Sequence, residues 1–328
     1  MPEVICIGEL LIDFVATERN VTLAESPGFT RAPGGAPANV AVALQRLGVP
    51  SGFVGKVGDD PFGVLLRNTL ARNGVDTTYL LVDPEARTTV VFVGVWDDGR
   101  KEMCFYRNPG ADMRLLPEEI TPDIFAGARC FHYGSITLIN EPGASAQRKA
   151  IRLAREHGLM LSYDPNYRPT LWPDETTARA VIQEAFQYAH LAKISEEEWA
   201  VASGHNDLDA GIEAVLARGP ELLVISRGSR GALATNGRYR IELPALTGIN
   251  VVETTGAGDG FMAAMIARLL PEREKYGSLA LVPEETVRAA LAYANAVGAL
   301  TCTKAGAIPA LPTQAEVAAF MAARGLGA

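Results

Sequence analysis

Short apolar runs rich in β-branched residues alternate along this chain with longer segments whose apolar positions recur every three or four residues. The runs at 4–7, 52–55, 130–133, 160–163 and 222–225 are short and unbroken, which predicts buried strands. Between them, 38–47, 62–73, 146–156 and 177–188 carry the helical period. Such alternation predicts βαβ units, and so a mostly parallel sheet with helices on both faces. Two stretches depart from it. Residues 14–31 and 88–107 read as strands with polar interruptions, and Asp97-Asp98-Gly99-Arg100 between 90–96 and 103–106 is a hairpin turn signal. Extra strands outside the main sheet predict a small lid over one edge. The charged run at 271–285, with two prolines, is expected to be a solvated connection between helices.

Composition narrows the function classes. The 328 residues are 48% hydrophobic and 21% charged, an ordinary globular balance compatible with one large domain. A net charge of -8 argues against a footprint for nucleic acid or anionic membrane. It leaves room for a local nest of backbone N–H groups that binds phosphate. Cys6, Cys104, Cys130 and Cys302 form no paired motif, and the four histidines (His132, His157, His190, His205) lack metal-ligand spacing, so no structural metal is expected. The opening MPEVICIGEL reads as a first strand and not as a signal peptide, and a cytoplasmic location is expected.

Candidate chemistry concentrates at Glu253-Thr254-Thr255-Gly256-Ala257-Gly258-Asp259-Gly260-Phe261, which runs straight into the helix-forming segment 262–270. A helix beginning near Asp259 presents unpaired N–H groups and the positive end of its dipole, and Gly256 and Gly258 let the main chain approach an anion. An acid inside an anion cradle is anomalous. On chemistry alone, Asp259 is either a helix cap or a base that takes a proton from a hydroxyl attacking phosphorus.

Thr-Thr-Gly-Ala-Gly-Asp at the start of a helix resembles the C-terminal signature of the PfkB-type, ribokinase-like carbohydrate kinases. That resemblance implies a three-layer α/β/α fold with a small β-strand lid, Asp259 as catalytic base, and the N–H groups of Gly256, Ala257 and Gly258 as an anion hole. Where the family usually has Asp, this chain has Glu253, at a position tied in some members to a monovalent cation such as K+. A second segment, Gly34-Gly35-Ala36-Pro37-Ala38-Asn39 before a helix, resembles the N-terminal signature. It implies that Gly34, Gly35 and Asn39 bind sugar hydroxyls. Asp13 follows the first strand, where open α/β sheets bind ligands, and the resemblance makes it a bidentate hydroxyl acceptor.

Phe105-Tyr106-Arg107-Asn108-Pro109-Gly110-Ala111-Asp112 is similar to a fructokinase segment whose arginine reaches the substrate from the lid. That likeness assigns Arg107 to the sugar. His132-Tyr133-Gly134-Ser135, Asp164-Pro165-Asn166-Tyr167-Arg168 and the segment 304–312 agree with it, and Arg168 is placed near the reacting groups. The chain has neither a P-loop nor a dinucleotide fingerprint after the first strand. The resemblance instead places ATP along Ser226, Gly228 and Gly231, with Asn295 beside adenine. Ser195 and Glu198 stand where the family organises Mg2+ on the nucleotide, while Glu196 and Glu197 are expected to be solvated.

The implied reaction is transfer of the γ-phosphoryl group of MgATP to D-fructose, at the 6-hydroxyl. Acceptors of relatives, namely 2-keto-3-deoxygluconate, ribose or a ribonucleoside, are alternatives, and so is a catalytically silent sugar-binding sensor. The resemblance also implies a homodimer through the lid.

Overall fold

The computed structural model describes residues 1–97 and 100–326, so the centre of the expected turn, Asp98 and Gly99, lies outside the described residues. The strands of the main sheet are β1 (Val4–Ile7), β4 (Ser51–Gly58), β5 (Leu80–Asp83), β8 (Cys130–Tyr133), β9 (Met160–Tyr163), β10 (Leu191–Ser195), β11 (Leu222–Ser226), β12 (Ala232–Thr235) and β13 (Arg240–Leu243). Four others, β2 (Leu11–Ala16), β3 (Phe29–Gly34), β6 (Val90–Val95) and β7 (Lys101–Tyr106), form a separate small sheet in the order β3-β2-β6-β7. The helices are α1 (Ala36–Arg46), α2 (Pro61–Arg72), α3 (Gly143–Glu156), α4 (Glu175–Phe186), α5 (Trp199–Ser203), α6 (Leu208–Leu216), α7 (Ala257–Tyr276), α8 (Glu284–Thr301), α9 (Ala307–Ala310) and α10 (Gln314–Ala322).

Main-sheet order is β13-β12-β11-β10-β9-β8-β1-β4-β5. Pairing is parallel from β5 to β11, while β12 and β13 close one edge antiparallel, a reversal that the pattern of apolar runs does not announce. Strand alternation divides the core in two. Val4 and Cys6 of β1 and Leu222 and Val224 of β11 face a layer that includes α1, α7 and α8. Their neighbours Ile5, Ile7, Leu223 and Ile225 face α3, α4 and α6. Every residue of β1, β8 and β9 is buried, as expected of strands covered on both sides.

From β1 the chain runs outward to β4 and β5, then returns to β8 and continues through β9, β10 and β11 on the other side. The strand order therefore reverses beside β1, and a crevice opens at such a point beyond the carboxyl ends of the strands. The small sheet stands at that end, because β2 begins only four residues after β1 ends, through Gly8-Glu9-Leu10.

Both ends of α7 differ from expectation. Helix α7 starts at Ala257, two residues before Asp259, because Gly256 holds φ 81 as its N-cap. It also runs through Pro271 to Tyr276 and ends at left-handed Gly277, so the charged run at 271–285 is half helix. The apolar residues Leu269 and Leu270 are buried before the proline, and packing sustains the helix past the missing N–H. Among the described residues, no helix is long and apolar enough to cross a membrane.

Candidate active site

A cavity of about 1260 Å³ opens where the small sheet overhangs the carboxyl ends of β1, β9, β10 and β11. It is large for one small ligand and has room for two side by side. The signature residues converge on it from distant parts of the chain: Asp13 and Gly35 from one end, Gly256, Ala257, Gly258 and Asp259 from the other, with Asn39 and Arg168 between.

Asp259 lies in the first turn of α7, at the positive end of the helix dipole. Its Oδ2 accepts a hydrogen bond from Asn39 Nδ2 at 2.8 Å. Burial pushes its carboxyl up to about 6, and the nearby Asp164 adds to the shift, while the Asn39 bond, Lys193 and Arg168 pull it back. Asp13 is likewise pushed up to about 6 by burial, with Lys101 and Arg168 opposing and Glu253 and Asp259 adding to the rise. These carboxylates share one space, where burial outweighs the nearby cations Lys101, Arg168 and Lys193. They sit where a hydroxyl donor would relieve them.

Backbone form fixes the loops around them. A Cβ on Gly34 would run into the Asp13 carboxylate, and one on Gly35, at φ 113, into the Glu9 carbonyl. Gly34 therefore shapes the site without lining it. Glu9 is buried, accepts the Ala36 N–H at 2.9 Å, and is pushed up to about 7 chiefly by burial. Beneath the anion loop, Lys193 Nζ pairs with Asp164 Oδ2 at 2.7 Å, both side chains being nearly inaccessible. Burial works against the Lys193 charge, but Asp164 and Glu198 outweigh it and hold its pKa above the ordinary lysine value. Asp164 Oδ1 and Asn39 Oδ1 are buried without a protein partner, so both are free to accept from a ligand or water.

The predicted nucleotide residues line the other end of the same cavity: Ser195, Glu198, Ser226, Gly228, Gly231 and Asn295. Glu198 uses both carboxylate oxygens on main-chain N–H groups, Ser195 and Tyr167, each at 2.7 Å. It thereby ties the loop after β9 to the loop after β10. Glu196 and Glu197 are exposed as expected, yet they line the cavity mouth, and Glu196 pairs with Arg230 across it.

Arg107 departs from its expected place. It is 7% exposed, does not line the cavity, and pairs with Asp112 through Nε at 2.7 Å. A buried guanidinium is held by the nearest buried carboxylate, and here that carboxylate is five residues away. Three contributors were not singled out by sequence reasoning: Glu9, Lys101 and Lys193. For Lys193 a signal existed, since a lysine inside an otherwise apolar buried strand is rarely left unpaired.

Among the described residues, no cluster of three or more His, Cys, Asp or Glu side chains is arranged to hold a metal. The cavity does fit a nucleotide phosphate, on the geometry of the Gly256–Gly258 turn and the free helix N-terminus behind it.

Comparison with known proteins bears on the whole chain. The profile of the pfkB family of carbohydrate kinases matches residues 1–314. Probable fructokinase-4 of Arabidopsis thaliana is 43% identical over 319 residues, covering 97% of this chain and 96% of the relative. A structure of fructokinase with bound ATP from Xylella fastidiosa superposes with a TM-score of 0.88 at 29% identity, over 99% of this chain and all of that one. Fructokinase from Vibrio cholerae O395, in its fructose, ADP and calcium ion bound form, gives 0.85 at 32% identity, over 98% of this chain and 99% of that one. The chain belongs to the pfkB family of carbohydrate kinases.

Proposed function

We infer that this protein is a fructokinase that transfers the γ-phosphoryl group of ATP to D-fructose, giving fructose 6-phosphate. The observation that carries the reading is the meeting of both signatures in one cavity: Asp259, held by Asn39, faces the same space as Asp13 and the glycine loop. Likeness to fructokinases over nearly the full chain supports the acceptor.

In this reading Asp13, Gly35 and Asn39 orient the sugar so that its 6-hydroxyl faces Asp259. The hydroxyl oxygen attacks the γ-phosphorus, its proton passes to the Asp259 carboxylate, and the bond to the bridging oxygen breaks to leave ADP. The N–H groups of Gly256, Ala257 and Gly258 receive the charge that develops on the phosphoryl oxygens, and Arg168 adds to it. Ser226, Gly228, Gly231 and Asn295 would hold the nucleotide. Bound magnesium supplies charge neutralisation on the phosphates. Glu198, whose oxygens already accept main-chain N–H groups, suits an organiser acting through water better than a direct ligand. Arg107 is assigned to bracing the segment 107–112 beside the sugar.

A monovalent cation such as K+ belongs to the same proposal. Glu253 Oε2 accepts the Gly306 N–H at 2.7 Å, and the Val252 N–H reaches the Cys302 carbonyl at 2.8 Å, so the two loops that would enclose it are already joined. We further read residues 1–328 as one kinase domain, cytoplasmic, with segments 14–31 and 88–107 as its lid. A homodimer through that lid is favoured by Tyr106, which is 64% exposed and stands at the edge of a ring cluster with Phe92, Phe14 and Phe29 on the sheet face away from the cavity.

A coupled ADP-release assay with MgATP tests the function against fructose, glucose, mannose, ribose, 2-keto-3-deoxygluconate and adenosine. Fructose should give the highest kcat/KM by a wide margin. A higher value on another member would replace the acceptor and keep the chemistry. No turnover, with a sugar still raising Tm, would make the protein a binder.

A further inference from the structure

Beside Asp259, at the carboxyl ends of β1, β8 and β9, lies a small annex of about 10 Å³. Glu9, Asp164 and Asp259 line both this annex and the large cavity, while Pro37, His132 and Gly134 belong to the annex alone. The volume is close to the least that admits one water, and a space of that size holds one only where its wall is polar. This wall is polar. Asp164 is 5% exposed, its Oδ2 is spent on Lys193 Nζ, and its Oδ1 is buried with no protein partner. His132 adds a neutral ring, since burial lowers its pKa to about 4, and its Nδ1 lies 3.0 Å from Ser162 Oγ.

A water is the occupant that these groups suit. Lys193 already balances Asp164, and among the described residues no three His, Cys, Asp or Glu side chains are arranged to hold a metal. The wall offers acceptors that lack donors: Asp164 Oδ1, and the Asp259 carboxylate, which accepts from Asn39 at Oδ2. The charges of these two acids oppose each other, for Asp164 adds to the rise in the Asp259 pKa. A water has two O–H donors and can give one to each acid without adding a charge.

We propose that the annex is a one-water site, and that this water is a positioning group for the transfer reaction, donating to Asp164 Oδ1 and to the Asp259 carboxylate. The inference rests on the kinase reading above. Asn39 and the water together give the carboxylate two donors that favour its charged form, the form that accepts the hydroxyl proton. The other ionisable groups around Asp259 are Asp13 of β2, Glu9 after β1, Asp164 and Arg168 after β9, and Lys193 of β10. The acids among them disfavour its charge, and Arg168 and Lys193 favour it. His132 of β8 stays neutral.

Gly134 gives the test, because altering Asp164 would strand the buried charge of Lys193. A Cβ on Gly134 meets the Asp164 carbonyl oxygen at 3.4 Å and Pro37 Cγ at 4.0 Å, both ordinary contacts, so Gly134→Ala fits the fold and sets its methyl against the annex. A high-resolution crystal structure of wild type should show one water about 2.5–3.0 Å from Asp164 Oδ1 and from the Asp259 carboxylate, and the alanine variant should lack it. Having lost a donor to its charged form, the variant should fall about 10-fold in kcat/KM. The acid limb of its pH–kcat/KM profile should move up by about one pH unit. Its Tm, and its fructose affinity by calorimetry, should stay near wild type. A wild-type annex without a water overturns the proposal, and so does a Gly134→Ala profile that matches wild type. If wild type phosphorylates none of the sugars, the kinase reading fails, and the crystal structure still decides the site: a water there upholds it and none refutes it.

Discussion

Asn39 Nδ2 and Asp259 Oδ2 lie 2.8 Å apart although 220 residues separate them in the chain. The bond joins the first turn of α1 to the first turn of α7, and it favours the charged form of the carboxylate. Losing a hydrogen bond to a charged group costs about 1.5–3 kcal/mol, so Asn39→Ala should lower kcat/KM roughly 10- to 100-fold. Asn39→Asp sets a second carboxylate against the first. Like charge raises the pKa of Asp259, and the acid limb of the pH–kcat/KM profile should move to higher pH.

Asp259 itself is the group that proton transfer requires. Asp259→Asn should cut kcat roughly 100- to 10000-fold while calorimetry finds fructose affinity retained. In wild type, kcat/KM should fall as pH drops through about 6, where the buried carboxylate takes up its proton. Stability should run the other way. Folding raises this pKa from 3.8 to about 6, so the folded chain holds the proton more tightly, and ionisation above 6 penalises the fold. The asparagine variant escapes that penalty. Its gain in Tm over wild type should be larger at pH 8 than at pH 5.

Gly34 offers a substitution whose effect is steric and local. The added methyl of Gly34→Ala meets the Asp13 carboxylate, so the carboxylate must move. Fructose KM should rise by 10-fold or more, given that about 1.4 kcal/mol of lost binding already gives that factor. Circular dichroism should show an intact fold. An unchanged KM would remove Asp13 from the sugar site.

The lid dimer can be tested at its most exposed ring. Sedimentation equilibrium should give twice the mass of one chain for wild type, and Tyr106→Asp should give a single-chain mass, because a charge buried at an apolar interface is costly. A wild-type monomer would end the idea.

Much of this was legible in the sequence, and the exceptions have physical causes. Buried parallel strands announce themselves as unbroken apolar runs, and β1, β8 and β9 fall where the runs lie. Both signatures are local, since glycines with special backbone needs must stand at fixed offsets from the groups they serve. Non-local pairing is different. Nothing near Lys101 foretells its hydrogen bond to Thr255 Oγ1, and nothing near Lys193 names Asp164 as its partner. Arg107 shows the converse hazard: a resemblance assigned it a ligand, whereas its nearest buried acid holds it at Asp112. The early start of α7 was hidden because a left-handed glycine can serve as an N-cap without the usual Ser, Thr, Asp or Asn.

The packing of α1 on α7 also bears on how the protein is made. A ribosome releases β1, α1 and β4 early, but α7 only after residue 257, and α8 later still. Until then, the sheet face that these helices cover stays wet and adhesive, and such surface invites aggregation. Asp259 is also the last of the proposed reacting groups to be synthesised. A nascent chain is therefore silent as a kinase and vulnerable as a fold until α7 and α8 emerge, and its yield in a cell should depend on chaperones that shield apolar surface during that interval.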